Sequence, residues 1–215
     1  MRDPRPDSED TRRLLDRAAA GDPAAAGELL ARHRAGLRAF VAVHLDPAVR
    51  GRLDPSVRGR LDPSDVVQDA QADLARDLPA FLAARPVPFH LWARKAAYDR
   101  LRNARRDHRA GRRDVAREAA PDESSVLLAR RVLDPGPSPS EAAAGRELVE
   151  RVAAAVDGLA DADREVLLLR QVDDLPYDEV GVLLGVDPAA ARKRYGRALI
   201  RLERALAGRG IRGTE

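Results

Sequence analysis

The feature that most constrains this chain is a pair of short helical segments joined by a tight turn, within Leu175–Leu206. Leu175-Pro176 suits the start of the first helix, because a first helical position needs no amide donor. Gly185 suits the left-handed residue that ends it. Asp187 then provides an N-cap, and Pro188 a first residue, for a longer second helix. The pattern predicts a helix-turn-helix, a unit typical of DNA-reading proteins.

The two predicted helices carry stripes at helical spacing. Gly181 lies inside the first helix, where we expect it to cost up to ~1 kcal/mol relative to alanine. The second helix should pack on one side and meet phosphates on the other, although its basic stripe alone also fits a solvated helix of an ordinary bundle. The expected inward positions are Val180, Leu183 and Leu184 in the first helix and Ala191, Tyr195, Ala198, Leu202 and Ala205 or Leu206 in the second. The basic stripe consists of Lys193, Arg197, Arg201 and Arg204.

Composition points to an all-α fold. Hydrophobic residues make up 44% of the chain but aromatic residues only 3%, so alanine and leucine must build closely packed helical cores. Charged residues reach 34% while the formal net charge is only +3, so the distribution of charge is more informative than its sum. We expect two small helical domains joined by a proline-containing linker, the C-terminal one being the helix-turn-helix.

The organisation along the chain follows from breaks in the helical pattern. Residues 1–10 are polar and are expected to form a disordered tail. Residues 11–113 should form the N-terminal helical domain. Residues 114–141 show weak periodicity and a run rich in proline, which predicts a linker. Residues 142–207 should form the C-terminal domain, and 208–215 a second tail.

A short internal repeat precedes one of the long helical patterns. Leu45–Arg52 and Leu53–Arg60 are near-identical octapeptides, and Leu61–Asp65 begins a third copy. Units of eight residues are too short for a helical solenoid, so a tandem duplication inside a loop is the simpler interpretation. Each Asp-Pro resembles an N-cap and first helical residue, but only the last copy leads into a long helix. The earlier copies should form single turns or remain mobile.

A second basic cluster lies between Trp92 and Arg113 and contains nine basic residues. Aromatic rings beside a cationic face suit nucleic acid, because rings stack on unpaired bases while guanidinium groups hold phosphates. Tyr98 is better placed than Trp92 for such contact. Phe89 and Trp92 are alternatively core residues, and the basic helix is alternatively a solvated face or an RNA-binding tail.

Catalytic and metal-binding signatures are missing from the sequence. The four histidines are scattered without metal-ligand spacing, and no phosphate-binding loop or nucleophile elbow occurs. With no cysteine, disulfides, thiolate zinc sites and cysteine nucleophiles are excluded. We therefore expect a binding protein rather than an enzyme, with no cofactor and no metal. No apolar run reaches about 18 residues and no apolar signal core opens the chain, so a cytoplasmic location without membrane insertion is expected.

Three motifs together resemble sigma-70 family RNA polymerase sigma factors of the extracytoplasmic-function (ECF) group. Asp62–Ala70 is similar to the acidic helix with which that family docks on core polymerase. Phe89–Arg94 is similar to the entry of the helix that reads and helps to open the −10 element. Leu159–Arg204 resembles the C-terminal domain that reads the −35 element. Order and spacing match, and the likeness covers nearly the whole chain.

The resemblance implies a transcription initiation factor that binds core RNA polymerase and directs it to promoters by reading −10 and −35 elements. The domain over 11–113 would bind core polymerase and the −10 element, and the domain over 142–207 the −35 element. Expected partners are the core enzyme and double-stranded promoter DNA with a locally melted −10 region. Family members are often held inactive by an anti-sigma factor, a partner that no residue here identifies.

The alternative to a sigma factor is a helix-turn-helix repressor or activator that works without core polymerase, with the N-terminal half as a sensing or dimerising domain.

The resemblance to sigma factors also assigns residues to the roles of polymerase and promoter binding. The implied core-polymerase residues are Asp65, Val66, Gln68 and Asp69. The implied −10 residues are Trp92, Arg94, Lys95, Tyr98, Arg102, Arg105 and Arg106. The implied −35 residues are Ala189, Ala190, Arg192, Lys193, Arg194, Arg197 and Arg201.

Overall fold

The computed structural model describes residues 4–45, 62–110, 123–133 and 142–211. The chain divides into two compact units, Met1–Val115 and Ala116–Glu215. Every regular element in the described ranges is an α-helix, which confirms the predicted all-α class. Within those ranges no helix combines the length and the hydropathy that crossing a membrane requires.

The N-terminal unit is a helical bundle in which α2 packs against the other three helices. Alanines at the contacts, such as Ala25, Ala70 and Ala97, are fully buried and let the helices approach closely. The helices are α1 (Glu9–Ala19), α2 (Pro23–His44), α3 (Pro63–Ala84) and α4 (Phe89–Ala110). The larger buried side chains include Leu29, Leu37, Phe40, Val67, Leu74, Leu78, Phe81, Phe89, Leu91, Tyr98 and Leu101.

Asp-Pro pairs start two of these helices. Asp22 caps α2 through the amides of Ala24 and Ala25. Asp62 caps α3 by accepting from the Ser64 amide at 2.6 Å, and Asp65 completes a capping box. The last octapeptide copy therefore starts a helix, as the sequence predicts. The expectation for the earlier copies falls on residues 46–61, outside the described residues.

The connection between α3 and α4 ends one helix and sets the start of the next. Pro79 lies inside α3, and the helix ends at Arg85, whose φ of 40° is left-handed. The Arg85 guanidinium stabilises this uncommon conformation by donating to the Asp16 carboxylate at 3.0 Å and to the Leu15 carbonyl at 3.2 Å. Pro86 and Pro88 then keep the chain out of a helix until Phe89.

The predicted disordered tail over residues 1–10 does not hold for residues 4–10. Ser8 is the N-cap of α1, with its hydroxyl 3.3 Å from the Thr11 amide. The Asp7 side chain accepts from the amides of Phe89 and His90. The segment is polar because its side chains serve as hydrogen-bond acceptors, a role that composition alone does not distinguish from disorder.

The C-terminal unit is built around α7. Leu167, Leu168 and Leu169 are all buried, so this helix is apolar on more than one face, as expected of a central helix. It packs against α5, α8 and α9. The helices of the unit are α5 (Glu123–Leu133), α6 (Ala142–Asp157), α7 (Asp161–Gln171), α8 (Tyr177–Leu184) and α9 (Pro188–Ala207).

Helix α5 lies within 114–141, the range that the sequence predicts as a linker, so that prediction does not hold for 123–133. The helix buries Leu128 and Ala129 together with Ser125, whose hydroxyl donates to Asp157 at 2.5 Å. Buried serine and alanine weaken the hydrophobic periodicity, which is why the sequence pattern missed the helix. The proline-rich run after it lies outside the described residues.

The predicted C-terminal tail over 208–215 also begins later than expected. Ile211 packs against a small apolar cluster that includes Val149 and Val152. Arg151 donates to the Arg209 carbonyl at 2.7 Å and holds the preceding turn in place. A single apolar residue at the end of a polar segment thus returns the chain to the core.

Candidate nucleic-acid interface

The helix-turn-helix has the geometry that its sequence predicts. Helix α8 ends at Gly185, whose φ of 66° is left-handed. Asp187 is the N-cap of α9, accepting from the Ala190 amide at 2.8 Å, and Pro188 is the first residue of that helix. One detail differs, because Pro176 is the N-cap of α8 rather than its first residue.

Gly181 is required by the turn between α8 and α9. The Val186 amide donates to the Gly181 carbonyl at 2.9 Å, which draws the two backbones together. A Cβ atom at Gly181 would lie 2.6 Å from the Val186 carbonyl oxygen, a distance that backbone atoms cannot accommodate without moving. The expectation that this glycine only destabilises α8 is therefore wrong. Glycine has a lower helix propensity than alanine, but this cost is offset because glycine permits the close approach of the backbones at Gly181 and Val186.

Helix α9 shows both predicted faces. Ala191, Ala198 and Leu202 are buried, and Tyr195 is half-buried beside them. Ala190 is half-buried at the start of the helix. The exposed predicted −35 residues are Ala189, Arg192, Lys193, Arg194 and Arg197. This exposed face lies where a helix-turn-helix presents its second helix to a major groove, so the surface can bind phosphates.

Arg201 differs from the other predicted −35 cations because it is already engaged within the unit. Its guanidinium donates to both carboxylate oxygens of Asp163 on α7, at 2.6 and 2.7 Å. Asp163 is only 9% exposed whereas the Arg201 side chain is 56% exposed, so the ion pair anchors α9 to α7 at the edge of their buried contact. The DNA-contact role assigned to Arg201 stays a prediction beside this structural role.

A cluster of aromatic and cationic side chains, which the sequence reasoning missed, holds α8 and α9 against α7. The Arg170 guanidinium lies over the Tyr177 ring at 4.5 Å and the Tyr195 ring at 5.9 Å. It also donates to the Leu175 carbonyl, and the Gln171 amide donates to the Tyr195 hydroxyl. Two of the three tyrosines of the chain therefore brace the helix-turn-helix. The available signal was the position of Tyr177 at the start of α8 and of Tyr195 on the inward stripe of α9.

The predicted −10 surface on α4 is only partly exposed. Arg102 is exposed and lies 5.9 Å from the Tyr98 ring. Arg94 is half-buried over the Phe40 ring at 5.2 Å. Lys95 forms an ion pair with Asp99, one turn along the same helix. The remaining predicted cations, Arg105 and Arg106, lie within α4 but their side chains are outside the described residues.

Two aromatic residues of α4 have different environments. Trp92 is half-buried and stacks on Phe81 with ring centroids 4.3 Å apart, so one face packs on the core. Tyr98 is fully buried, next to Phe40 and His44. The prediction that Tyr98 touches DNA is therefore wrong, because its side of α4 faces the bundle. Of the two residues, only Trp92 reaches the surface.

The predicted polymerase-binding residues lie near the start of α3. Asp65, Gln68 and Asp69 are exposed and share one face at helical spacing. Val66 is 2% exposed and belongs to the core, so its prediction as a contact residue is wrong. The physical reason is that Val66 starts the apolar stripe with which α3 packs on the bundle.

A partly exposed ion pair connects α3 to α4. Asp73 accepts from Arg100 Nε at 2.5 Å and from Arg100 Nη2 at 2.6 Å, and it also pairs with Arg76. The hydrogen bonds from Arg100, more than those from Arg76, lower the pKa of Asp73 from 3.8 to about 2. The helix with the exposed carboxylates is thereby fixed to the helix with the exposed cations.

This pair predicts a pH dependence of stability. Since the pKa of Asp73 is depressed in the folded state, its contribution to the free energy of unfolding is complete above pH 3.8. This contribution is lost as the pH falls towards about 2. We expect Asp73→Asn to lower the free energy of unfolding by about 1 kcal/mol at pH 5, allowing for solvent screening, with the difference vanishing near pH 2. Urea titrations followed by fluorescence of Trp92, the single tryptophan, measure this.

The matched control is Asp77→Asn, an exposed carboxylate one turn further along α3. It should leave the pH dependence unchanged. A constant difference between Asp73→Asn and the wild type from pH 5 to pH 2 would contradict the assignment.

Comparison with known proteins agrees with this architecture. Residues 150–202, which contain the helix-turn-helix, match the family model described as Sigma-70, region 4. The chain is 30% identical over 195 residues to RNA polymerase sigma factor CnrH of Cupriavidus metallidurans, covering 90% of this chain and 93% of CnrH. A solved structure of CnrH in complex with the cytosolic domain of CnrY has a TM-score of 0.54 at 23% identity, covering 93% of this chain and 99% of CnrH. The latter similarity supports the fold.

Two further relatives match over shorter regions. The chain is 33% identical over 117 residues to RNA polymerase sigma factor CarQ of Myxococcus xanthus, covering 53% of this chain. It is 33% identical over 137 residues to the probable RNA polymerase sigma factor RfaY of Xanthomonas campestris pv. campestris, covering 60% of this chain. The chain spans 32% of RfaY and 56% of CarQ.

The fold and its C-terminal helix-turn-helix define a protein of the sigma region 4 class. The near full-length match to CnrH extends this to both units. The chain belongs to the sigma-70 family of RNA polymerase sigma factors, in the ECF group.

Proposed function

We propose that this protein is a transcription initiation factor that binds core RNA polymerase and directs it to specific promoters by reading their −10 and −35 elements. The observation that carries the proposal is the exposed basic face of α9. It is presented by a helix-turn-helix in the part of a sigma family chain that matches region 4. Such a face binds phosphates while the start of the helix approaches base edges.

The two units divide the work. In the N-terminal domain, residues 11–113, the exposed carboxylate face of α3 binds core polymerase. Helix α4 of the same domain meets the locally melted −10 region, where an aromatic ring and nearby cations suit unpaired bases and their phosphates. The C-terminal domain, residues 142–207, meets double-stranded DNA at the −35 element.

The chain supplies promoter choice, and the polymerase supplies the chemistry. No cofactor or metal takes part in this role. A protein that works on polymerase and chromosomal promoters acts in the cytoplasm. The complex of CnrH with the cytosolic domain of CnrY supports a regulatory protein partner of the anti-sigma kind for this chain as well.

Transcription from a randomised promoter library tests the proposal. Purified protein is mixed with core polymerase, and the transcribed promoters are sequenced. We expect a stable complex with core enzyme, transcripts from promoters that share two spaced motifs, and weak binding to DNA without polymerase. Tight binding to a duplex with no polymerase complex would instead identify a repressor or activator.

Changing the carboxylate face of α3 should remove polymerase binding. In Asp69→Arg with Gln68→Ala, a repulsive charge replaces an attractive one on an exposed face, while Asp65 is kept because it caps the helix. We expect core affinity to fall at least tenfold, about 1.4 kcal/mol. Fluorescence anisotropy with labelled protein measures the affinity.

The control for this variant is Asp77→Arg, an exposed position further along α3. Both variants should keep the wild-type circular dichroism spectrum. Equal affinities for the two variants would show that polymerase binds elsewhere on the chain.

A further inference from the structure

Helix α4 begins without a capping side chain in its own segment. The residues before it are Arg85, Pro86, Val87 and Pro88, and none carries the short polar side chain that usually caps a helix. The Pro88 carbonyl accepts from the Leu91 and Trp92 amides, so the amides of Phe89 and His90 remain to be satisfied. A partner from elsewhere in the chain must supply the acceptor.

Asp7 supplies it, from 82 positions earlier in the sequence. Its Oδ2 atom accepts from the Phe89 amide at 2.6 Å, and its Oδ1 atom accepts from the His90 amide at 3.0 Å. The His90 ring nitrogen Nδ1 lies 2.8 Å from the same Oδ1 atom. One carboxylate therefore satisfies both open amides and orients the His90 ring.

The Asp7 side chain is built into this site. It is only 8% exposed, although it lies in a segment with a polar, proline-bearing sequence. Burial raises the pKa of Asp7, but hydrogen bonds from His90 and Phe89 and the charge of His90 together lower it below its ordinary value. The carboxylate is thus ionised beside the positive end of the α4 dipole, which favours it there.

The turn that Asp7 caps is the turn that presents Trp92. The Phe89 ring packs 5.6 Å from the Trp92 ring and 5.6 Å from Phe81, on which Trp92 stacks. Phe89 is fully buried, whereas Trp92 is half-exposed. If the first turn of α4 frays, the Trp92 ring loses the support of its contact with Phe89.

We infer that Asp7 is a positioning residue for promoter opening, acting from the N-terminal segment by fixing the first turn of α4 in the geometry that presents Trp92 to the −10 element. This inference rests on the proposed function. It deepens it by placing a residue outside the predicted DNA-binding and polymerase-binding surfaces in control of the −10 step. Asp7 touches neither partner in this role.

Three variants of the full chain test the inference. Asp7→Ala removes the acceptor, and Asp7→Asn keeps one acceptor oxygen without the charge. Ser8→Ala is the matched control, because the adjacent Ser8 caps α1 instead of α4. Each variant is assembled with core polymerase on one promoter selected by the wild-type holoenzyme. The opening rate is followed with 2-aminopurine in the −10 element, alongside core affinity and thermal unfolding.

We expect Asp7→Ala to slow opening at least tenfold and Asp7→Asn two- to threefold. Ser8→Ala should open at the wild-type rate, and core affinity should stay within twofold in all three. In Asp7→Ala the amides of Phe89 and His90 should also exchange with solvent faster than in Ser8→Ala. If Asp7→Ala does not fold, the comparison of Asp7→Asn with Ser8→Ala decides.

Wild-type opening by Asp7→Ala, or by Asp7→Asn where only that variant folds, would overturn the inference. So would equal slowing by Ser8→Ala, which would indicate a general loss of stability. A wild-type holoenzyme that opens no promoter would refute the proposed function instead, so the two failures are distinguishable.

Discussion

Reversing two charges on α9, Lys193→Glu with Arg197→Glu, should lower the affinity of the holoenzyme for −35 DNA at least 100-fold. Both side chains are exposed on the face opposite the buried stripe, so the change leaves the core of the C-terminal unit intact. Each substitution removes an attraction to phosphate and adds a repulsion. Each lost phosphate contact should also reduce the slope of log affinity against log salt by about 0.9.

The matched control reverses the charges of two residues on α5, Arg130→Glu with Arg131→Glu. It changes the net charge by the same amount within the same unit. Both are exposed and lie outside the helix-turn-helix. Core affinity should be unchanged in both double variants. Electrophoretic mobility shifts at several salt concentrations give the comparison, and similar losses in the two variants would mean that only net charge matters.

Gly181→Ala should destabilise the C-terminal unit by about 2 kcal/mol, even though alanine is the better helix former. The added Cβ would lie 2.6 Å from the Val186 carbonyl oxygen, so the turn must open and the hydrogen bond between these residues must lengthen. Because the turn sets the direction of α9, we expect −35 affinity to fall more than tenfold at temperatures where the unit is still folded. Thermal unfolding by circular dichroism and mobility shifts measure the two effects.

Gly196→Ala provides the opposite result from the same chemical change. Gly196 lies inside α9 and no neighbouring atom lies within 4 Å of the position its Cβ would take. Here alanine should stabilise the unit by roughly 0.5–1 kcal/mol, because it restricts the unfolded chain. A stabilising Gly181→Ala would show that the turn tolerates the extra methyl group.

Local chemistry was enough to predict much of the fold. The Asp-Pro starts of α3 and α9 and the left-handed Gly185 follow from the preferences of single residues, and the structure has them where the sequence places them. The two faces of α9 follow from helical spacing. These features depend on residues within a few positions of each other, and for that reason one sequence suffices.

The features that sequence reasoning missed depend on contacts between distant segments. Tyr98 and Val66 lie on stripes whose buried side is decided by the neighbouring helices. The need for Gly181 follows from the path of the turn, and the cap of α4 comes from Asp7. Helix α5 was hidden because it buries small and hydroxyl side chains. Spacing along one helix cannot show such contacts.

The ion pair between Arg201 and Asp163 divides α9 into two parts with different roles, one that faces DNA and one that is held against α7. From Arg192 to Arg197 the helix advances roughly 8 Å, at about 1.5 Å per residue. At about 3.4 Å per base pair, that length faces only two or three base pairs of a major groove. At Arg201 the helix is fastened to α7. A promoter element read by this protein should therefore hold its sequence information in a very short core, with the flanking positions recognised through the backbone.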